Sequence, residues 1–191
     1  MEIKQTAPQP LFLADNLALD FINTEYGTGD AKQDCLEDDR SVIDWLIMAG
    51  VAEAGTQAPP GLHAQARQLR SAASAVVHAA MNAVAVELGV INRILEKGHP
   101  LTRLQWDEGG QHYHVDTHSV STRPESLLWP VADALVKLVT GNKFEFVRQC
   151  EAHDCVLLFH DLSKSHRRRW CSMATCGNRM KVAAFRNRTR S

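Results

Sequence analysis

The sequence predicts a mainly α (α+β) fold: a helical N-terminal domain carrying one β-hairpin, then a small cysteine-built module at the C-terminus. Three observations carry this expectation. An apolar stripe of helical period follows Pro59-Pro60-Gly61, an alternating stretch interrupts the helices near residues 101–119, and two close cysteine pairs lie beyond residue 149.

Taken in order, residues 1–10 form a Pro-interrupted lead-in without the charged start and long apolar run of a leader peptide, so a cytoplasmic protein is expected. Residues 17–24 are an apolar patch ending in polar groups, too short to assign by period. Asp20, Asn23 and Thr24 there are candidates to line a small-molecule effector pocket, or else to cap a helix end or satisfy a turn. Residues 27–40 are polar and acidic and predict a loop. Ser41-Val42-Ile43-Asp44 has the form of a capping box, so a helix should start at Ser41.

Leu62, Ala66, Leu69, Ala73, Val76, Ala80 and Val84 recur every three or four residues and predict a long amphipathic helix. A second helix is expected over 87–97, ended by Gly98 with Pro100 behind it. Another should run from Pro124 to Gly141, with Leu128, Val131, Leu135, Leu138 and Val139 inward. Between these two, Thr102–Trp106, an acidic glycine turn and Gln111–Thr117 predict the hairpin. The chain thus divides into 1–143 and 144–191. No stretch approaches the roughly 20 apolar residues needed to span a membrane.

Charge divides the chain in the same way. All 22 acidic residues lie at or before Asp161. Residues 1–163 set twelve basic groups against them, a net of −10, while residues 164–191 hold nine Lys and Arg and no acid. An acidic body with a basic tail points to a polyanionic partner, most often nucleic acid, although a solvated tail has the same composition.

The cysteine spacing is Cys150-x4-Cys155-x15-Cys171-x4-Cys176. Two close pairs about fifteen residues apart suit four thiolates around one structural Zn2+, each pair on a knuckle. Ferredoxin-type spacings differ, and four thiolates leave no open position for catalysis. Val156–Phe159 and Arg168–Trp170 are candidate strands joining the knuckles, giving a treble-clef-like order of knuckle, hairpin and helix. Cys35 has no partner in the pattern and reads as a buried or loop thiol.

Trp170-Cys171-Ser172-Met173-Ala174-Thr175-Cys176-Gly177-Asn178-Arg179 closely resembles the CGNR zinc-finger family, named for Cys176–Arg179 as they stand here. The upstream cysteine pair and basic C-terminus fit that family, and Leu17–Asn23 looks like its N-terminal motif. The resemblance implies a bacterial stress-induced transcription regulator, with a helical ABATE domain and a finger that binds DNA. Met180, Val182, Ala183 and Ala184 leave the finger helix less basic than the family pattern.

On that helix, Arg179, Ala183, Arg186 and Arg190 form a stripe flanked by Lys181 and Arg188, while Val182 and Phe185 are expected to pack inward on Trp170 and the hairpin. Arg167, Arg168 and Arg169 are further candidate phosphate contacts. One short helix binds weakly alone, so a homodimer joined through the N-terminal body is expected.

Two other classes compete. His112, His114, Asp116 and His118 alternate on one strand face, and His112, His114 and His118 are candidate ligands for a second metal in an enzyme or metal sensor. A protein-interaction adaptor would use the zinc module only as a scaffold. The sequence holds no phosphate-cradling glycine loop, no nucleophile-plus-base arrangement and no paired carboxylates in helical context, so an enzyme is not expected.

Overall fold

The computed structural model describes residues 8–118 and 123–188, so the lead-in before residue 8 lies outside the description. A buried six-residue helix, α1 (Leu17–Ile22), lies at the centre of the fold. Asn16 caps it by accepting from the Ala18 and Leu19 amides, and Ala18, Leu19 and Phe21 are wholly buried. It packs on the long α3 (Leu62–Met81), on α5 (Pro124–Val139) and on β6 (Leu158–His160). Too short to show a period, it is defined by its cap and its burial.

Between α1 and α2 (Asp39–Met48), the expected loop contains a two-residue ladder. There β1 (Glu25–Tyr26) pairs with β2 (Gln33–Asp34) around a turn at Gly27, whose φ is +81°. A Cβ at Gly27 would lie 2.2 Å from the Ala31 carbonyl oxygen, so only glycine fits.

Helix α2 begins two residues before the expected Ser41. Asp38 is the cap, accepting from the Ser41 amide at 2.7 Å, while the Ser41 hydroxyl accepts from the Asp38 amide at 2.9 Å. Ser41 therefore closes the box from its far side. Trp45 of α2 meets Phe21 edge-on, with ring centroids 5.1 Å apart.

Along α3, Leu62, Ala66, Leu69, Ala73 and Val77 are wholly buried. The helix ends at Met81, so Val84 lies beyond it and exposed, and Val77 rather than Val76 is the valine buried. Helix α4 (Gly89–Gly98) runs beside α5 so closely that a Cβ on Gly98 would sit 2.2 Å from the Glu125 carbonyl oxygen. In α5, Leu128, Val131, Leu135 and Leu138 are buried as expected.

Strands β3 (Leu101–Asp107) and β4 (His112–His118) form the predicted antiparallel hairpin, with Leu104 opposite Val115 and Trp106 opposite Tyr113. Leu104, Tyr113, Val115 and Trp106 are 70%, 68%, 62% and 46% exposed, so the hairpin's apolar face is uncovered.

The apolar core runs without a break from the helices into the cysteine module, where Val147, Leu157, Leu158 and Phe159 join it. There β6 pairs with β5 (Val147–Gln149), not with Arg168–Trp170 as the sequence suggested. The Asp161 carboxylate takes the Arg168 amide, and the Arg169 carbonyl accepts from Glu151, so that segment is spent on the knuckle.

Asp20 buries its carboxylate beneath the entry segment and accepts the Leu13 and Ala14 amides at 2.9 Å each. Burial lifts its pKa to about 6, against those two bonds. A raised carboxylate pKa favours the protonated folded form, so this group's contribution to stability is fullest below about pH 4 and declines as pH rises to about 6. Stability measured from pH 4 to 7 should therefore show this decline in the wild type relative to Asp20→Asn, with a difference of up to about 3 kcal/mol across the window. Parallel curves would refute the burial argument.

Candidate metal centre and basic helix

Four sulfurs converge at the C-terminal end. Cys150 follows β5 and donates its amide to the Leu157 carbonyl, and Cys155 closes the knuckle by donating to Ala152. Cys171 follows the Arg168–Trp170 segment. Cys176 sits in a wide helical turn, Met173–Gly177, which Ser172 caps through the Ala174 amide and which leads into α6 (Asn178–Arg188).

All four Sγ atoms lie within 4.8 Å of one another, with Cys155–Cys171 at 3.8 Å and Cys171–Cys176 at 3.6 Å. Zinc–sulfur bonds of about 2.3 Å in a tetrahedron place sulfurs about 3.8 Å apart. The spacing fits that shell, and none of the cysteines is in a disulfide. Shared hydrogens already polarise the cluster: the bond with Cys171 draws the Cys155 thiol down to about 5, and the same bond pushes Cys171 up. Cys35 is buried in the body, well away from this shell in sequence, and burial lifts its thiol to about 11.

Arg179 reaches back to this shell. Its Nη2 donates to Cys176 Sγ at 3.4 Å and pairs with Asp154 on the opposite knuckle at 2.8 Å. An N–H to a ligand sulfur stabilises thiolate charge and orients the ligand. Sequence reasoning placed Arg179 among the nucleic-acid contacts and missed this position.

Arg168 is likewise turned inward. It pairs with Asp15 at 2.6 Å, donates to the Leu13, Trp170 and Cys171 carbonyls, and lies 4.3 Å over the Phe159 ring. These partners hold its guanidinium against the module, with the side chain 25% exposed. Arg169 pairs with Glu151 at 2.6 Å and remains largely exposed. Arg167 is exposed.

Helix α6 stands out into solvent. Lys181, Ala183 and Arg186 are exposed, and so are Val182 and Phe185, at 49% and 64%. Met180 instead turns toward the core. The side chain of Arg188 and the whole of Arg190 lie outside the description.

Residues 15–142 match the model of the ABATE family, "Putative stress-induced transcription regulator", and residues 147–189 match that of the CGNR zinc finger. The chain belongs to the ABATE family. No curated protein matches it. The CGNR finger holds one structural zinc through Cys150, Cys155, Cys171 and Cys176.

Outside the finger, Asn23 of the ABATE region donates to the Leu158 carbonyl at 2.8 Å and accepts its amide at 3.0 Å, pinning β6 to α1. The Thr24 hydroxyl donates to Phe21 and accepts from Arg70. Asp20, Asn23 and Thr24 thus serve the backbone and Arg70, and Asn23 also borders a cavity. His112 and His114 sit on the hairpin's other, polar face, also exposed, with ring centroids 6.3 Å apart; the His118 side chain lies outside the description. Among the described residues, the four cysteines form the one cluster of His, Cys, Asp and Glu with metal-ligating geometry. No described helix is long and apolar enough to cross a membrane.

Proposed function

We propose that this ABATE protein is a cytoplasmic transcription regulator that binds duplex DNA through α6 and the arginines around it, as a homodimer whose DNA affinity answers to a small-molecule effector. The observation that carries this is the exposed, acid-free helix fixed to a rigid zinc turn. Lys181, Arg186, Arg188 and Arg190 would meet phosphates or guanine edges, joined by Arg167 and Arg169 from the preceding loop. Arg179 holds the shell that orients the helix, and the exposed Val182 offers apolar contact to base edges.

Titrating zinc-loaded protein against random duplex DNA at several salt concentrations tests this reading. Binding should weaken with a log–log slope of about −0.9 per neutralised phosphate. Lys181→Ala with Arg186→Ala should flatten the slope by about two phosphates and leave zinc content unchanged. Absence of binding at low salt would end the DNA reading, and preference for single-stranded RNA would redirect it.

The hairpin is the proposed dimer contact. A two-stranded hairpin is marginal alone in water, and an apolar face left bare calls for cover. Its tip is acidic, at Asp107 and Glu108, and its base is flanked by Lys97 and Arg123. Two hairpins stacked face to face about a twofold would set each tip beside the partner's base. Leu104→Lys with Val115→Lys should turn a dimer into a monomer in sedimentation; a wild type that is monomeric at high concentration would refute the contact.

A further inference from the structure

A cavity of about 390 Å³ opens between the ABATE helices and the zinc module, a volume typical of small-molecule sites. One wall is α3, where Ser71, Ser74 and His78 follow one another at i, i+3 and i+7 and so share a face. Val156 and Leu158, between the two cysteine pairs, add apolar lining from the zinc module.

The charges of the floor are already matched. Arg70 is buried and held by Asp34 through two bonds of 2.6 Å, by the Thr24 hydroxyl at 2.9 Å and by Glu25 at 3.4 Å. Glu25 in turn pairs with Lys32 at 2.8 Å. Both carboxylates are thereby neutralised. Among the described residues, no partner takes the Ser71 or Ser74 hydroxyl or the His78 ring. The unspent groups are all capable of donating, and they share the cavity with apolar lining residues.

We propose that this cavity binds a small organic anion, its carboxylate or phosphate head on the Ser71–Ser74–His78 face and its apolar body against Val156 and Leu158. The effector role of such a ligand rests on the regulator reading above; the site itself rests on the cavity. Its occupant touches both halves of the chain. Val156 adjoins the zinc ligand Cys155, and Leu158 is the residue that Asn23 clamps through both backbone groups. Binding there gains contacts only when the zinc module is seated on α1 and α3, which is the differential interaction an effector needs.

The test uses the full zinc-loaded chain and follows amide resonances while benzoate, phenyl phosphate or the neutral benzyl alcohol is added. Benzoate or phenyl phosphate should move Ser71, Ser74, His78 and Val156 on one saturating curve, and which of the two binds more tightly identifies the head group. Benzyl alcohol should leave these resonances in place. Ser71→Ala with Ser74→Ala should raise Kd about tenfold or more without altering zinc content or melting, because alanine suits a helix surface. Equal response to benzyl alcohol, shifts confined to α6, or shifts that never saturate would each overturn the site. DNA retention measured with and without benzoate separates the two claims. Anion binding without any DNA binding sinks the regulator reading alone, and DNA binding without anion binding sinks the site alone.

Discussion

Removing zinc, or replacing Cys171 with serine, is expected to unfold the CGNR module and to lower the melting temperature of the helical body with it. Metal ligation contributes about 10–16 kcal/mol in zinc-finger peptides, as much as the whole stability of an ordinary domain. The segment around the shell has little else to hold it: β5 and β6 are three residues each, and α6 packs weakly on the body. Its apolar residues are nonetheless part of the body's core, since Phe159 and Leu158 are buried beside α1 and the His160 amide donates to the Ala14 carbonyl at 2.8 Å. Losing the module therefore strips cover from α1.

Trp45, stacked on Phe12 and edge-on to Phe21, reports on the body once Trp106, Trp129 and Trp170 are replaced by phenylalanine. Chelation should shift its fluorescence melt downward by many degrees, and zinc should restore it. A Trp45 transition untouched by chelation would mean that the two halves fold independently, against the continuous core. Cys35→Ser should keep the full zinc content, since its thiol stands apart from the four ligands.

Where function was legible in the sequence, the signal was local. The spacing of Cys150, Cys155, Cys171 and Cys176 was sufficient, because each knuckle closes within a few residues. The α3 stripe and the alternation of β3 and β4 likewise follow from backbone period alone. What stayed hidden was which surface each face meets. Val182 and Phe185 do share a face of α6, yet both stay exposed rather than entering the core. Asn23 and Leu158 are 135 residues apart, and no periodicity joins them. Charge was the least legible property: composition counts Arg168 and Arg179 with the basic tail, but folding gives Arg168 carbonyl partners and ties Arg179, still 52% exposed, to Cys176 and Asp154. The arginines separate once the acceptors around each are known. Arg168 is held among carbonyls and Arg179 bridges Cys176 and Asp154, while Lys181 and Arg186 are exposed on α6.

Arg168→Ala gives that separation its sharpest test, and it is expected to cost about 3 kcal/mol of stability or more. The pair with Asp15 is half exposed and contributes little by itself. The weight lies in the Leu13, Trp170 and Cys171 carbonyls, each of which loses a charged donor worth about 1 kcal/mol or more. Stacking on Phe159 is lost with them. Arg168→Lys should recover only part, because one ammonium cannot span three carbonyls and a carboxylate from the guanidinium's position. Denaturant unfolding would measure the loss, and salt titration of DNA binding below the melting range would show whether the slope stays at the wild-type value. Lys181→Ala should do the reverse, keeping stability and lowering the slope by about one phosphate. If Arg168→Ala left stability intact and flattened the slope instead, Arg168 would belong to the DNA surface, and its inward bonds would be too weak to position the loop that carries Arg167 and Arg169.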